Sequence, residues 1–198
     1  GRDTPGAQRS VCYQCHMESS VDSLGTRVLK AGRDVFSFRP GEPFSNYAVQ
    51  FSLQASDTNK LKVVQHAELM EASRCFQASQ GQMTCTSCHD PHRKAASADA
   101  ASYYRARCLR CHDNRKLSTH TRAQLAGDCS RCHMPRGTPT NGGHTVFTNH
   151  RVGIYPALAS RAPRRPGSNV ERLPVREPDV DLSEQEKLFF LGAAYLDS

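Results

Sequence analysis

Cys85-Thr86-Ser87-Cys88-His89, Cys108-Leu109-Arg110-Cys111-His112 and Cys129-Ser130-Arg131-Cys132-His133 fall inside one 49-residue stretch, and Cys12-Tyr13-Gln14-Cys15-His16 repeats the pattern about seventy residues upstream. Cys-X-X-Cys-His is the attachment sequence of a c-type haem. Two thiols three positions apart on a helical turn reach the two vinyl groups on one porphyrin edge. The histidine that follows then comes under the iron as an axial ligand. Cys12, Cys15, Cys85, Cys88, Cys108, Cys111, Cys129 and Cys132 are therefore the candidate thioether donors, and His16, His89, His112 and His133 the candidate proximal ligands. Structural zinc takes four Cys or His ligands from two such pairs and gives no reason for a histidine after every second cysteine. A disulfide framework leaves that histidine equally unexplained. The pattern uses eight of the nine cysteines, and four covalently attached haems are the expected cofactors.

The rest of the composition suits a chain built round something other than protein. Of 198 residues only 37% are hydrophobic and 7% aromatic, there is no Trp, and the mean hydropathy is −0.61. So polar a chain packs a poor core unless something else fills it. The formal charge of +7 and pI near 9.1 would by themselves suggest an anionic partner. Four haems, however, bring propionates worth roughly −8 when ionised, and the basic residues form no helix stripe with interleaved aromatics. Nucleic acid is not an expected partner. No run approaches the ~20 apolar residues of a membrane span. Gly1-Arg2-Asp3-Thr4-Pro5 is no secretory leader. Because c-type haem is attached on the far side of the cytoplasmic membrane, the expectation is an exported protein, periplasmic or extracellular, whose leader has been removed.

Five histidines lie outside the motifs, His66, His92, His120, His144 and His150, and four irons need four more ligands to be six-coordinate. The supply suffices with one over, which favours bis-histidine haems of low potential and electron transfer over catalysis. His92 is too close to His89 to reach the opposite face of the same porphyrin, so as a ligand it serves another haem. His66 is expected on a helix from Val63 to Ser79, His120 to reach back to an adjacent haem, and His144 and His150 to bracket a segment after the last motif. Met17 and Met134 directly follow proximal histidines and cannot reach their own irons from the other side. Met70 and Met83 are expected to pack against porphyrin. Cys75 is expected to be a buried free thiol on the helix carrying His66.

Mostly helix and irregular coil with few short strands, organised round four haems, is the expected fold. Thr26–Leu29 and Val35–Phe38 read as short extended pieces, and Arg39-Pro40-Gly41-Glu42-Pro43 as a turn. The last three motifs stand so close in sequence that their haems must come near contact, which makes tunnelling fast. Residues 1–155 read as the haem domain, 156–182 as a Pro/Arg-rich extended arm, and 183–198 as a C-terminal helix. Ser183-Glu184-Gln185-Glu186 is a capping box. Leu188, Leu191, Gly192 and Tyr195 fit the opening of a tetratricopeptide repeat, or a docking helix.

With the four motifs, Cys88-His89-Asp90-Pro91-His92, Cys132-His133-Met134-Pro135, Arg39–Pro43 and the His144–Arg151 stretch together, roughly residues 10–155 resemble the tetrahaem cytochromes c related to the hydroxylamine-linked carrier of nitrifying bacteria. Modules fused to tetratricopeptide repeats are the closer likeness. The resemblance implies an exported electron carrier with redox partner proteins. It also implies, for relatives that polymerise, copies of the same chain in an extracellular filament, where a histidine can ligate a haem of the next subunit. A multihaem reductase or oxidase of small nitrogen or sulfur species, with one open haem, is the enzyme alternative; a soluble periplasmic shuttle is another.

Overall fold

The computed structural model describes residues 4–17, 25–53, 61–112, 119–139, 144–155, 172–174 and 182–196. In chain order the elements are α1 (Pro5–His16), β1 (Gly25–Leu29), β2 (Ala48–Leu53), α2 (His66–Glu71), α3 (Arg74–Ala78), α4 (Ala100–Cys108), α5 (Arg122–Ala126), α6 (Cys129–His133), β3 (Arg136–Gly137), β4 (Phe147–Thr148), β5 (Arg172–Pro174) and α7 (Glu184–Leu196). Short 3-10 turns occupy Phe44–Asn46 and Cys85–Ser87. Helix dominates and the strands are short, as expected.

Thr4 opens α1 by accepting a hydrogen bond from the Ala7 N–H at 3.2 Å, with Pro5 at the first helical position where its missing donor is harmless. The helix buries Ala7, Ser10 and Tyr13, the last two against the Phe44–Asn46 turn. The Phe44 N–H donates to Ser10 Oγ at 2.9 Å, and Tyr13 meets the Phe44 ring edge-on. Met17, Phe38, Tyr47, Ala48 and Ala67 complete this cluster. Arg39–Pro43 forms the expected turn: Gly41 takes φ +98°, a conformation glycine adopts without steric cost, and Glu42 accepts from the Arg39 N–H and pairs with Arg33.

A three-stranded antiparallel sheet runs in the order β1-β2-β5, with Arg27 opposite Gln50 and Phe51 opposite Pro174. β2 is buried on both faces. Ala48 joins the Phe44 cluster, while Val49 and Phe51 pack on Phe190 of α7. Ser183 and Glu186 exchange the reciprocal hydrogen bonds of the expected capping box at the start of α7. From the Pro/Arg-rich arm, Arg172–Pro174 is the described part and pairs with β2; residues 156–171 and 175–181 lie outside the described residues, as does the side chain of Tyr195. No helix among the described residues is long and apolar enough to cross a membrane.

Two expectations need correction. Val35–Phe38 is not extended: Asp34 Oδ1 accepts from the Phe36 N–H and Ser37 folds back on Asp34, so the stretch turns, leaving Phe36 85% exposed. The helix over Val63–Ser79 is broken. Val64 takes φ +63°, α2 starts only at His66, and Ser73 stops the run by capping α3 at Phe76. A serine side chain offered the backbone a local partner and won over helical continuity. Cys75 is in consequence on α3, a half-buried free thiol on the helix after the one that carries His66.

Candidate haem-attachment sites

Each motif is held on a single turn of helix-like backbone, though by different means. The first forms the last turn of α1. The second is the 3-10 turn at Cys85, fixed by Thr84 and Ser87 in a reciprocal cap, with the His89 N–H donating to the Cys85 carbonyl at 2.9 Å. The third begins at the end of α4, where the His112 N–H donates to the Cys108 carbonyl at 3.0 Å. The fourth is α6 itself, capped by Asp128, which accepts from both the N–H and the hydroxyl of Ser130.

Packing brings the motifs together in pairs. α1 lies against the Cys85 turn, and α4 against α6. The Cys12 and Cys85 thiols hydrogen-bond one another, which draws the Cys12 pKa down and pushes Cys85 up. Burial and the neighbouring Cys129 raise Cys108 to about 11. Burial, then Cys111, raises Cys75, which sits where the second and third motifs adjoin. Arg9 stitches the first pair from beneath. Its guanidinium donates to Tyr13 Oη and to the Gly81 carbonyl just before the second motif, and faces Glu71 of α2 at 3.8 Å, while Tyr13 hydrogen-bonds Glu71. Arg27, a residue that no motif singles out, donates to the Tyr13 and Gln14 carbonyls, the two residues between Cys12 and Cys15, at 3.2 and 2.9 Å.

Four imidazoles form a row. His16 meets His66 with ring centres 5.2 Å apart, His66 meets His150 at 4.5 Å, and His150 meets His89 at 6.2 Å. A separate pair, His120 and His133, stands at 5.9 Å. His150 reaches the row because the β3–β4 ribbon turns the chain back after the fourth motif, where the Asn149 N–H donates to Pro135 and the Gly153 N–H to His133. Gly137 permits that ribbon to lie on the segment entering α2, since a Cβ there would come within 2.9 Å of Leu61. His92 and His144 are exposed, and among the described residues neither they nor His112 packs against another imidazole ring.

These residues fit haem. All nine cysteines are free thiols. His133 and His150 hold Nδ1 against the Gly153 and Thr148 carbonyls at 2.8 and 2.9 Å, which places the proton there and leaves Nε2 with its lone pair for a metal. His66 Nδ1 is buried without a partner, a cost that native structures rarely leave unexplained. Burial, reinforced by His150, His16 and His89, pushes His66 down to about 4, so its ring is neutral and ligand-competent at neutral pH. Burial likewise lowers His150. Among the described residues no three His, Cys, Asp or Glu side chains converge as a self-contained metal cage.

Residues 77–117 match the family described as the doubled CXXCH motif, a span that takes in the second and third motifs. No curated protein and no solved structure matches the chain. The doubled motif, set in a mostly helical fold with free thiols and neutral histidines beside it, gives the chain the capacity to bind c-type haem and supports a c-type cytochrome capable of electron transfer.

Proposed function

We propose that the chain is a tetrahaem electron-transfer protein that works outside the cytoplasm. Cys12/Cys15, Cys85/Cys88, Cys108/Cys111 and Cys129/Cys132 each attach one haem, His16, His89, His112 and His133 are the proximal ligands, and the distal ligands come from His66, His92, His120, His144 and His150. The single observation that carries this reading is the facing of motif histidines by spare histidines in the row and in the separate pair. An iron closed on both faces has no site for substrate, which makes the group a carrier of electrons. The protein's own part is to fix the rings, hold the Nδ1 protons and bring the attachment turns together in pairs, so that electrons pass between neighbouring haems and out to redox partner proteins.

The exposed His92 and His144, and the His112 ring without an imidazole opposite it among the described residues, favour a second reading for one iron. In it a histidine from another copy closes the third site, as in a filament of repeated chains, or the site stays open and reduces a small nitrogen or sulfur species. Denaturing mass measurement and the pyridine haemochrome spectrum test the first reading; four haems per chain is the expected result, and two or fewer would sink it. Carbon monoxide binding by the reduced protein, and electron microscopy of concentrated samples, separate an open site from a polymer.

A further inference from the structure

The row of four rings has an internal order that the ligand count does not contain. Its two ends, His16 and His89, belong to motifs; its two middle members, His66 and His150, do not. An iron between two imidazoles stands about 2 Å from each Nε2, which sets the ring centres roughly 6 Å apart. His89 and His150, at 6.2 Å, and His133 and His120, at 5.9 Å, already have that separation. His16 and His66 at 5.2 Å need to open by less than an ångström to reach it, whereas His66 and His150 at 4.5 Å are too close to hold a metal between them.

We infer that His66 is the distal ligand of the first haem, His150 of the second and His120 of the fourth, with the rings of His66 and His150 in direct contact between the first two haems. This inference rests on the haem reading proposed above and goes beyond it in naming the pairs. His150 has its ring fixed by the Thr148 carbonyl with Nε2 left free, as a ligand needs, and His133 is fixed in the same way by Gly153. The buried, unpartnered polar atom of His66 sits in the same row. His92, next in sequence to the second motif, is excluded from that haem and stands exposed, its N–H held by Asp90 in a local turn. The edge-to-face contact of His66 and His150, with planes at 81°, supplies a short covalent-and-contact route between two irons whose motifs are about seventy residues apart.

The test uses the intact haem-loaded chain. His66→Ala, His150→Ala and His120→Ala are each expected to keep the full haem count, turn about one haem in four from low-spin to high-spin, and bind carbon monoxide there on reduction. Added imidazole is expected to restore the low-spin spectrum in each. His92→Ala is expected to leave the first, second and fourth haems low-spin. Should an alanine protein fail to accumulate, the methionine replacement gives the same information, because a thioether ligand raises the potential of the one haem it serves and leaves the other potentials in place. A fully loaded His150→Ala or His150→Met protein with unaltered spectrum and potentials overturns the pairing, and so does a His92→Ala protein in which the haem on Cys85 and Cys88 turns high-spin. A low haem count in the unaltered chain counts instead against the tetrahaem reading itself.

Discussion

Arg27 and His66 show how single side chains prepare a site that the protein itself does not fill. Arg27 spends its guanidinium on the carbonyls of Tyr13 and Gln14 and on Gln50 Oε1, with its plane over the Phe44 ring. These carbonyls end α1, where a cation is favoured by the helix dipole. Arg27→Met should destabilise the protein by about 2 kcal/mol, since it strips a half-buried fork of charge-assisted hydrogen bonds. Arg27→Lys should recover less than half of that loss, because an ammonium cannot span the fork. Denaturant titration of the three proteins decides it, and equal midpoints for Arg27 and Lys would remove the clamp from the argument. His66 acts through its neutrality. Its folded pKa lies below the ordinary 6.5, at about 4, so in that window the unfolded chain binds the extra proton. Stability is therefore complete above the ordinary value and is lost as pH falls toward 4. In the haem-free chain, the urea midpoint is expected to drop between pH 7 and pH 5, and to drop less in His66→Gln; parallel curves for the two would contradict this. Both roles escape sequence reading for one reason. The cysteine and histidine spacing announces what attaches, but the partners of Arg27 come from residues on three separate elements.

At the scale of elements, what was legible followed local chemistry. The Ser183–Glu186 cap, the Arg39–Pro43 turn and the Ser73 cap that parts α2 from α3 depend on residues within a few positions, whereas the strand at Thr26–Leu29, though legible in its own residues, is held by its ladder to Ala48–Phe51. Val64, just before α2, stands at φ +63°, a conformation costly for a β-branched residue. Val64→Gly should relieve that strain and stabilise the protein by about 1 kcal/mol, although glycine also loosens the unfolded chain. A loss of stability in thermal melts would show that the side chain contributes more than the strain costs. β2 was missed although Val49-Gln50-Phe51-Ser52-Leu53 alternates apolar and polar residues, and the polar Gln50 is as buried in it as Ala48, Val49 and Phe51. Its second face exists only because α7 returns from the far end of the sequence. Phe190→Ala should cost about 3 kcal/mol and free α7 from the sheet, measurable as faster amide exchange along Glu184–Leu196.

Over the whole molecule the protein core is unevenly shared. Among the described residues every buried aliphatic or aromatic side chain lies between Ala7 and Phe76 or is Phe190; from residue 77 to 155 none of those described is buried, Pro139 being the apolar exception. The composition of the entire chain predicts a poor protein core. The first seventy-odd residues nonetheless hold a core of their own, built on Phe44, Tyr47, Phe51 and their neighbours. Composition averages over a chain and cannot reveal such a division. After chemical removal of haem, amide exchange is expected to stay slow in β1, β2 and α7 and to become fast across α4, α5 and α6; uniform loss of protection would refute the division.

The same uneven core bears on how defective copies are recognised. On the tetrahaem reading, a chain that received only its first haem would carry a folded head, with α7 docked on it, and a long, accessible loop beginning near Gln82. An endoprotease samples open backbone, so it would cut such a chain behind the head and leave the completed protein alone. Cofactor loading would thus be read out as chain length, a form of quality control that needs no dedicated inspector.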